Sequence, residues 1–345
     1  MALEFPWAEP PAPGTRRRIA SGIDWVYQPL PFRLDHVNCW WLQDGTGATV
    51  QIDTGVASDA TRTHWRDATG ADPDTLLITH FHPDHAGCAG EYAARGVRLL
   101  GSEVEMRLAS AIHAMPDEAY GELYAAWYAR HGLSEEVIGK ARRFGNGYRM
   151  LVSGTAPLET IDWLVEGDSV VLGGRRWRVL IGRGHAPAML MLHDAEAGLL
   201  IGADQVLPTI SPNVSAGPSP GPGHPPPFDL DEPDPLARFL ETLDALRALP
   251  ADTLVLPSHG LPFRGLHERL DALSEHHEER LRAVRDACDE PRTAAELFAV
   301  LFGRRMDAQQ MSFALGEALA HADHLVGRGE LVREDGEALT TFARR

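Results

Sequence analysis

The sequence has little cysteine and no long apolar run. Its three cysteines, Cys39, Cys88 and Cys288, are far apart and have neither the C-x-x-C spacing of a thiolate metal site nor the even number of a disulfide framework. No stretch of about 18 apolar residues occurs that could span a bilayer, and the proline-rich N-terminus lacks the apolar segment of a signal peptide. We therefore expect a reduced, cytoplasmic protein without a membrane partner.

Positive charge is also scarce. The 345 residues include 32 Lys and Arg against 49 Asp and Glu, which gives a formal net charge of -17. A field of this sign repels polyanions within a Debye length, so nucleic acid is a disfavoured partner and a small-molecule substrate is expected. The hydrophobic share of 44% and the charged share of 23% are ordinary for a globular protein and exclude disorder.

The chain divides into two blocks of short strands and a C-terminal extension. Runs of β-branched and aromatic residues predict strands between 23 and 79 and again between 170 and 256. Between these blocks, apolar residues at helical spacing predict a helical insertion at about 102–150. A stretch rich in Pro and Gly at 217–227 predicts an irregular loop. We place a catalytic domain at 20–264 and a small C-terminal domain at 265–345.

The C-terminal domain has the pattern of a long polar helix followed by helices and a β-hairpin, which is the outline of a winged helix. Nucleic-acid modules normally present a basic face. Residues 289–345 contain ten Asp and Glu against seven Arg, a net charge of -3, although Arg304-Arg305 and Arg344-Arg345 could form a local basic patch. Apolar residues on more than one side of the helix predicted at 308–328 suggest a homodimer as an alternative role.

A cluster of polar residues follows the predicted strand at 76–78. Three His and one Asp fall within six positions: His80, His82, Asp84 and His85. In an extended segment His80 and His82 point the same way, and a turn at Pro83 brings Asp84 and His85 toward a neighbouring point. Two ligands for each of two cations are too few, because zinc usually takes three or four protein ligands.

Further ligands are predicted at the ends of other strands. His185, Asp204 and His259 each follow an apolar strand and lie beside Gly, Ala or Ser. Loops that follow the strands of a rigid scaffold commonly collect functional side chains. With the cluster at 80–85, these residues make five His and two Asp, which is enough for two zinc ions that share one carboxylate.

The pattern H-x-H-x-D-H at 80–85, followed in order by His185, Asp204 and His259, resembles the metallo-β-lactamase fold hydrolase superfamily. The resemblance covers about 23–263 and includes an Asp53-Thr54-Gly55 motif ahead of the signature. It implies an α/β fold, the four-layer αβ/βα sandwich, with the site at one edge between the two sheets. It also implies the metal ligands: His80, His82 and His185 for the first metal, Asp84, His85 and His259 for the second, and Asp204 as a bridge.

Two further features refine the resemblance. The bridging Asp204 is similar to that of glyoxalase II-like hydrolases and unlike the class B β-lactamases, which lack it. The C-terminal winged helix resembles that of a subgroup that includes β-lactamase-like endoribonucleases. Relatives often carry a second His after the third metal-binding His, whereas this sequence has Met189 at that place. The substrate of any one relative therefore does not transfer directly.

Two zinc ions are the expected cofactors, and iron or manganese are alternatives for His and carboxylate ligands. Such ions lower the pKa of bound water to roughly 7, so a metal-bound hydroxide would be the nucleophile at neutral pH. Asp84 is the expected catalytic residue, because its carboxylate would orient that hydroxide. We expect a dinuclear zinc-dependent hydrolase of a small ester, thioester or lactone. The alternatives are an endoribonuclease or phosphodiesterase, a di-iron redox protein and a non-catalytic binding protein.

Asp53 is expected to hydrogen-bond the distal nitrogen of a metal-bound His, the alternative being an Asp that caps a turn. Cys88 is expected to be a structural thiol. An aromatic set on the helical insertion either packs that helix on the core or lines a cap over the site for an acyl or aromatic substrate; its members are Tyr120, Tyr124, Trp127 and Tyr128.

Three other histidines are not expected to bind a metal. His36 precedes a strand, and a satisfied structural His is favoured over one that faces the cleft. His276 and His277 lie among Glu residues of a charged helix, so both are expected to be solvated.

Overall fold

A computed structural model describes residues 3–218, 234–303 and 308–345, without the side chains of 308–310. The loop predicted at 217–227 falls outside these residues from position 219 onward, and so do Arg304 and Arg305. Within the described ranges, no helix combines the length and the apolar character needed to cross a bilayer.

The first sheet has seven described strands, which lie in chain order. Neighbouring strands are antiparallel as far as the fourth and parallel from the fourth to the seventh. Side chains alternate across the sheet, so that Trp40 and Leu42 face one side while Cys39 and Trp41 face the other. The strands are β1 (Arg16–Ala20), β2 (Ile23–Pro29), β3 (His36–Gln43), β4 (Thr49–Ile52), β5 (Thr75–Leu77), β6 (Arg98–Gly101) and β7 (Ile161–Trp163).

Strands β1, β6 and β7 are not predicted from the sequence, because none of them contains a continuous run of β-branched or aromatic residues.

A second sheet has five described strands in the reverse of chain order, antiparallel except for its last pair. Its strands are β8 (Ser169–Leu172), β9 (Arg175–Gly182), β10 (Met189–Asp194), β11 (Leu199–Ala203) and β12 (Leu254–Pro257).

Helices cover the outer face of each sheet. The described α-helices are α1 (Asp59–Thr69), α2 (Pro83–Ala86), α3 (Ala89–Ala94), α4 (Glu103–Ala114), α5 (Asp117–Arg130), α6 (Glu135–Phe144), α7 (Pro235–Leu246), α8 (Leu266–Ala287), α9 (Ala294–Phe302) and α10 (Ala308–Gly327). Short 3-10 helices occupy Gly147–Met150 and Leu158–Thr160, and a hairpin of β13 (Leu331–Asp335) and β14 (Thr340–Arg344) closes the chain.

The core clusters define the order of the layers. The inner faces of the two sheets meet around residues such as Trp25, Trp40 and Trp177. Helices α1, α3 and α4 pack on the outer face of the first sheet, and α7 and α8 pack on the outer face of the second. This arrangement confirms the predicted four-layer αβ/βα sandwich. Helices α4 to α6 occupy the segment in which the insertion is predicted.

The C-terminal unit consists of α8, α9, α10 and the β13–β14 hairpin. Helix α10 is central to it, and its buried residues Leu315, Leu319 and Leu325 join the cluster that also contains α7 and α8. Most described apolar residues of α10 are therefore packed within this chain, whereas Phe313 is 47% exposed.

His277 is not solvated as predicted, because it is completely buried. It lies on the apolar stripe of α8, between Leu273 and Leu281, which faces α7 and α10. Its Nδ1 is 3.1 Å from Nε2 of His321 on α10, and its ring meets Phe239 of α7 edge-on. The neighbouring His276 is half-buried and accepts a hydrogen bond from Arg280.

Candidate metal centre

Polar side chains from four segments meet beyond the ends of the strands. Strand β5 ends at Leu77, and the chain then passes through His80 and His82 into α2, which starts at Pro83 and carries Asp84 and His85. His185 follows β9, Asp204 follows β11 and His259 follows β12.

Gly184 allows the close packing that places His185. Its φ is 97°, and a Cβ atom there would approach Cβ of Phe239 and the carbonyl of Pro235 to 2.5 Å each. Only glycine fits this turn against α7 without displacing it.

The first three candidate ligands form one group. Ligand atoms of His80, His82 and His185 all lie within 4.8 Å of one another. Nε2 of His80 is 3.0 Å from Nδ1 of His82, and the ring of His185 stands nearly perpendicular to that of His82, with 4.7 Å between the ring centroids. These three residues are the set implied for the first metal.

A second group lies beside the first. Ligand atoms of Asp84, His85 and His259 also lie within 4.8 Å of one another. Oδ2 of Asp84 is 3.6 Å from Nε2 of His85 and 3.6 Å from Nε2 of His259. These residues are the set implied for the second metal.

Asp204 lies between the two groups. Its Oδ2 is 3.3 Å from Nε2 of His185 and 3.3 Å from Nε2 of His259, and its Oδ1 is 3.5 Å from Nε2 of His85. The carboxylate therefore reaches members of both groups, as expected of a bridge.

The donor atoms at the centre fit cations. Nε2 of His85, His185 and His259 and Oδ1 of Asp204 are buried and make no hydrogen bond among the described residues. Buried polar atoms in native proteins are nearly always paired, so four orphaned atoms facing one another need a common partner. Imidazole nitrogens around carboxylate oxygens are the donor set that zinc and similar divalent metals prefer.

The other ring nitrogens of these histidines are held from outside the centre. Nδ1 of His185 donates to the carbonyl of Asn213 at 2.8 Å, and Nδ1 of His259 donates to the carbonyl of His36 at 2.6 Å. His36 also accepts a hydrogen bond from the backbone N–H of Gly260 at 2.8 Å. Such contacts fix the tautomer and leave Nε2 free to bind a metal.

Asp53 contacts a candidate ligand, as the sequence analysis expects. Its Oδ2 is 2.8 Å from Nδ1 of His85, and both of its oxygens accept hydrogen bonds from Thr79. Asp53 has a φ of 61° and Ala203, next to Asp204, has a φ of 44°. Left-handed backbone is costly for a residue with a Cβ, so the packing around the centre holds both positions in strained conformations.

The local charge favours cations. Burial and the neighbouring imidazoles lower the pKa of His80 and His82 well below 6.5, so both rings are neutral and able to ligate a metal. Burial opposes the charged form of His85 and His259 as well, but the adjacent carboxylates raise the pKa of both rings. Burial likewise opposes ionisation of Asp204, yet His259 and His85 hold its pKa well below 3.8. A field that favours a proton here also favours a metal ion.

Two residues that the sequence analysis misses support the signature loop. Glu105 of α4 is completely buried and accepts hydrogen bonds from the backbone N–H groups of Phe81 and Ala188. Burial raises the pKa of Glu105 to about 7. The hydroxyl of Tyr148 donates to the carbonyl of Phe81 at 2.7 Å. The sequence gives no signal for either residue. A Glu in the first turn of a helix, such as Glu105, is ordinarily a surface residue.

The aromatic set lies on α5. Tyr124, Trp127 and Tyr128 pack in the cluster that contains the C-terminal unit, and Tyr120 stacks on Tyr124 with 4.7 Å between the ring centroids. These contacts match the packing alternative, and a substrate role for the set stays a prediction.

Two single residues complete the surroundings. Met189 is completely buried and packs in one cluster with Ala186, Ala203 and Phe81. Cys88 precedes α3 and is buried, and its thiol lies 3.8 Å from the carbonyl of Val56. Both environments are those of structural residues.

Comparison with known families agrees with this geometry. The model of the metallo-beta-lactamase superfamily matches residues 32–259, and the model described as metallo-beta-lactamase-like, C-terminal domain, matches residues 281–345. The chain therefore belongs to the metallo-β-lactamase superfamily and is a metal-dependent hydrolase of that fold.

Three individual proteins are similar to this chain. A β-lactamase domain protein from Burkholderia ambifaria superposes with a TM-score of 0.84 at 39% identity, over 99% of this chain and 97% of that one. The probable metallo-hydrolase YqjP of Bacillus subtilis is 26% identical over 281 residues, 79% of this chain and 78% of that protein. The acyl-coenzyme A thioesterase MBLAC2 of Gallus gallus is 26% identical over 196 residues, 54% of this chain, and the chain spans only 64% of that protein's length.

Proposed function

We propose that this metal-dependent hydrolase uses two zinc ions to cleave a small ester, thioester or lactone. The observation that carries the proposal is the convergence on Asp204 of three buried imidazole nitrogens, from His85, His185 and His259, that have no hydrogen-bond partner among the described residues. One carboxylate within 3.5 Å of all three nitrogens suits a pair of cations better than a single one.

The carboxylates of the centre have different roles. Two divalent cations bound here would supply the Lewis acidity that activates water and polarises a carbonyl oxygen. The side chain of Asp84 is 16% exposed, whereas those of Asp204 and Asp53 are 7% and 2% exposed. Asp84 is thus the carboxylate that solvent reaches, and it orients the attacking water by accepting its hydrogen bond. Buried Asp53 holds the ring of His85, and buried Asp204 is the carboxylate that would bridge the two cations.

The acyl class is favoured on two grounds. The net charge of -17 disfavours a nucleic acid as the substrate, and the C-terminal residues 289–345 carry a net charge of -3. The similarity to an acyl-coenzyme A thioesterase makes acyl thioesters the first substrates to test. An endoribonuclease or phosphodiesterase activity is an alternative outcome of the same experiment.

The test combines metal analysis with a substrate panel. Purified protein is expected to hold two equivalents of zinc by inductively coupled plasma mass spectrometry. The same sample is then assayed on acyl thioesters, lactones, simple esters, β-lactams and single-stranded RNA. His82→Ala should lose the first metal and most of the activity, whereas His64→Ala on α1, outside the centre, should lose neither.

Either measurement can refute the proposal. A single equivalent of metal in the active protein would contradict the dinuclear centre. Cleavage of RNA without cleavage of any acyl substrate would assign the chain to the nuclease alternative.

A further inference from the structure

Helix α10 of the C-terminal unit packs directly on the chain segment 213–216. The backbone N–H of Ala216 donates to the carbonyl of Gly316 at 3.0 Å, and the Ser215 hydroxyl oxygen lies 3.3 Å from the carbonyl oxygen of Phe313. A Cβ atom at position 316 would lie 2.7 Å from the carbonyl oxygen of Ala216 and 2.8 Å from Cβ of Ser215. The two backbones therefore approach as closely as glycine permits.

The amide of Asn213 is fixed on both sides by this contact. Its Oδ1 accepts a hydrogen bond from Ser215, and its Nδ2 donates to the carbonyl of Phe313 at 3.5 Å. The same side chain also lies beside the carboxylate of Glu317, one turn further along α10. An amide whose oxygen and nitrogen are both engaged has a single orientation, which in turn fixes the backbone of its residue.

Glu317 is itself anchored. It is 6% exposed, and its Oε1 is 3.0 Å from Nη1 of Arg280 on α8. The Glu317 carboxyl is buried and the Arg280 side chain is 19% exposed, so losing one partner would leave the other poorly compensated. The contact between Asn213 and Glu317 therefore connects the segment to the packed helices α8 and α10.

The backbone of Asn213 contacts the metal centre. Its carbonyl accepts the Nδ1–H of His185 at 2.8 Å, and Nε2 of the same ring is 3.3 Å from Asp204. The position of this carbonyl decides which tautomer His185 adopts and where its Nε2 points.

Helix α8 holds the preceding part of the same stretch. The guanidinium of Arg269 donates to the carbonyls of Leu207 and Ile210, the second at 2.7 Å. Two helices of the C-terminal unit, α8 and α10, thus bind the chain between Asp204 and Ala216. His259 differs, because its Nδ1 is held by the carbonyl of His36 at the start of β3, within the first sheet.

We propose that the C-terminal unit completes the metal centre, with Asn213 and Glu317 as positioning residues that orient His185 through the Asn213 carbonyl. This inference rests on the proposed function, since it assigns His185 to the first metal. It gives the C-terminal unit a role in metal binding that requires neither a nucleic acid nor a second subunit.

The test measures zinc affinity in the full-length protein by chelator competition, together with the visible spectrum of the cobalt-substituted protein. Asn213→Ala keeps the accepting carbonyl but removes its anchors, and Glu317→Ala removes one anchor. Each should weaken the first metal about tenfold, in the range of lost contacts to metal-bound histidines, and alter the cobalt spectrum. The second metal should be unaffected. Glu317→Gln keeps an acceptor oxygen and should remain within about threefold of wild type.

Leu319→Ala is the matched control, because Leu319 is buried on α10 and belongs to the core cluster but not to the Asn213 contact. It should lower the melting temperature and leave zinc affinity unchanged. Asn213→Ala carries the test if Glu317→Ala does not fold. Equal zinc affinity in wild type and Asn213→Ala, with two metals bound, would overturn this inference alone. A wild-type protein without metal would overturn the proposed function as well.

Discussion

The metal centre and the interface between α8 and α10 both bury histidine rings, yet the charges around these rings differ. In the metal centre, carboxylates lie within 3.6 Å of the rings of His85 and His259 and raise their pKa. At the helix interface, His277 and His321 contact each other, and burial lowers their pKa to about 2 and about 4.

The hydrogen bonds of the two clusters differ in the same way. His321 donates from Nδ1 to the carbonyl of Glu317, so its Nε2 accepts from Nδ1 of His277, whereas the buried Nε2 of His277 has no hydrogen-bond partner among the described residues and faces no carboxylate-linked group of nitrogens. In the metal centre, the Nδ1 atoms are satisfied from outside and the Nε2 atoms converge. Burial of histidine therefore does not identify a metal site; convergent nitrogens beside a carboxylate do.

The largest expected effect comes from removing the carboxylate at the point of convergence. Asp204→Ala should lose at least one metal and lower kcat/KM on the order of a thousandfold, since several kcal/mol of stabilisation are lost. Metal content and steady-state kinetics measure this. Asp194→Ala, another buried aspartate of the same sheet paired with Arg175, is the control and should keep both metals. Unchanged stoichiometry in Asp204→Ala would refute the dinuclear centre.

The next largest effect is expected from changing Asp53, which holds the ring of His85 from outside the metal centre. Asp53→Asn replaces the acceptor that faces Nδ1 of His85 with an amide, and should weaken the second metal about 10- to 100-fold. Chelator competition gives the affinity. Asp24→Asn, a buried carboxylate on β2 that pairs with Arg18, is the comparison and should leave the affinity unchanged. Equal affinity in the two variants would assign Asp53 to backbone structure only.

A smaller effect concerns the helix interface. Burial lowers the pKa of His277 to about 2, against 6.5 in the unfolded chain. Below pH 6.5 the unfolded chain binds a proton that the folded chain excludes, so the free energy of unfolding falls by about 1.4 kcal/mol per pH unit from this group. His277→Phe lacks this group and should lose less stability between pH 7 and 5. Urea unfolding of metal-free protein measures both slopes, and parallel slopes would contradict the assignment.

The smallest effect is expected at Cys88, close in sequence to the ligands. Burial raises the pKa of its thiol to about 12, so no thiolate nucleophile is available. Cys88→Ala should keep kcat/KM within about threefold of wild type. A loss comparable to that of Asp84→Ala, measured on the same substrate, would show that the thiol takes part in the chemistry.

Most residues of the candidate metal centre can be predicted from local patterns in the sequence. His80, His82, Asp84 and His85 are within six residues of one another, and His185, Asp204 and His259 each follow a strand that its apolar run reveals. Strand ends are predictable because a short apolar run is a local property of the sequence, and the edge of the sheets then brings the ligands together. The contact of Asp53 follows from its motif, but its partner, His85, becomes known only from the fold.

The other contacts that hold the candidate ligands cannot be predicted from residue type. The carbonyls of Asn213 and His36 hold two of the rings, and any residue supplies a carbonyl. The error at His277 has a different cause. The glutamates around it suggest solvation, yet Leu270, Leu273, Leu281 and Val284 fall on one helical stripe with it. The period of the apolar residues is a better guide to burial than the charge of sequence neighbours.

The tight approach of α10 to the chain after Asp204 constrains how this protein can evolve. A side chain at position 316 would collide with Ala216, so the two sides of the contact must change together. Recombination at α8 with a distant homologue would separate surfaces that fit only each other. We expect chimeras to retain activity only when residues 207–216 and α10 descend from the same parent.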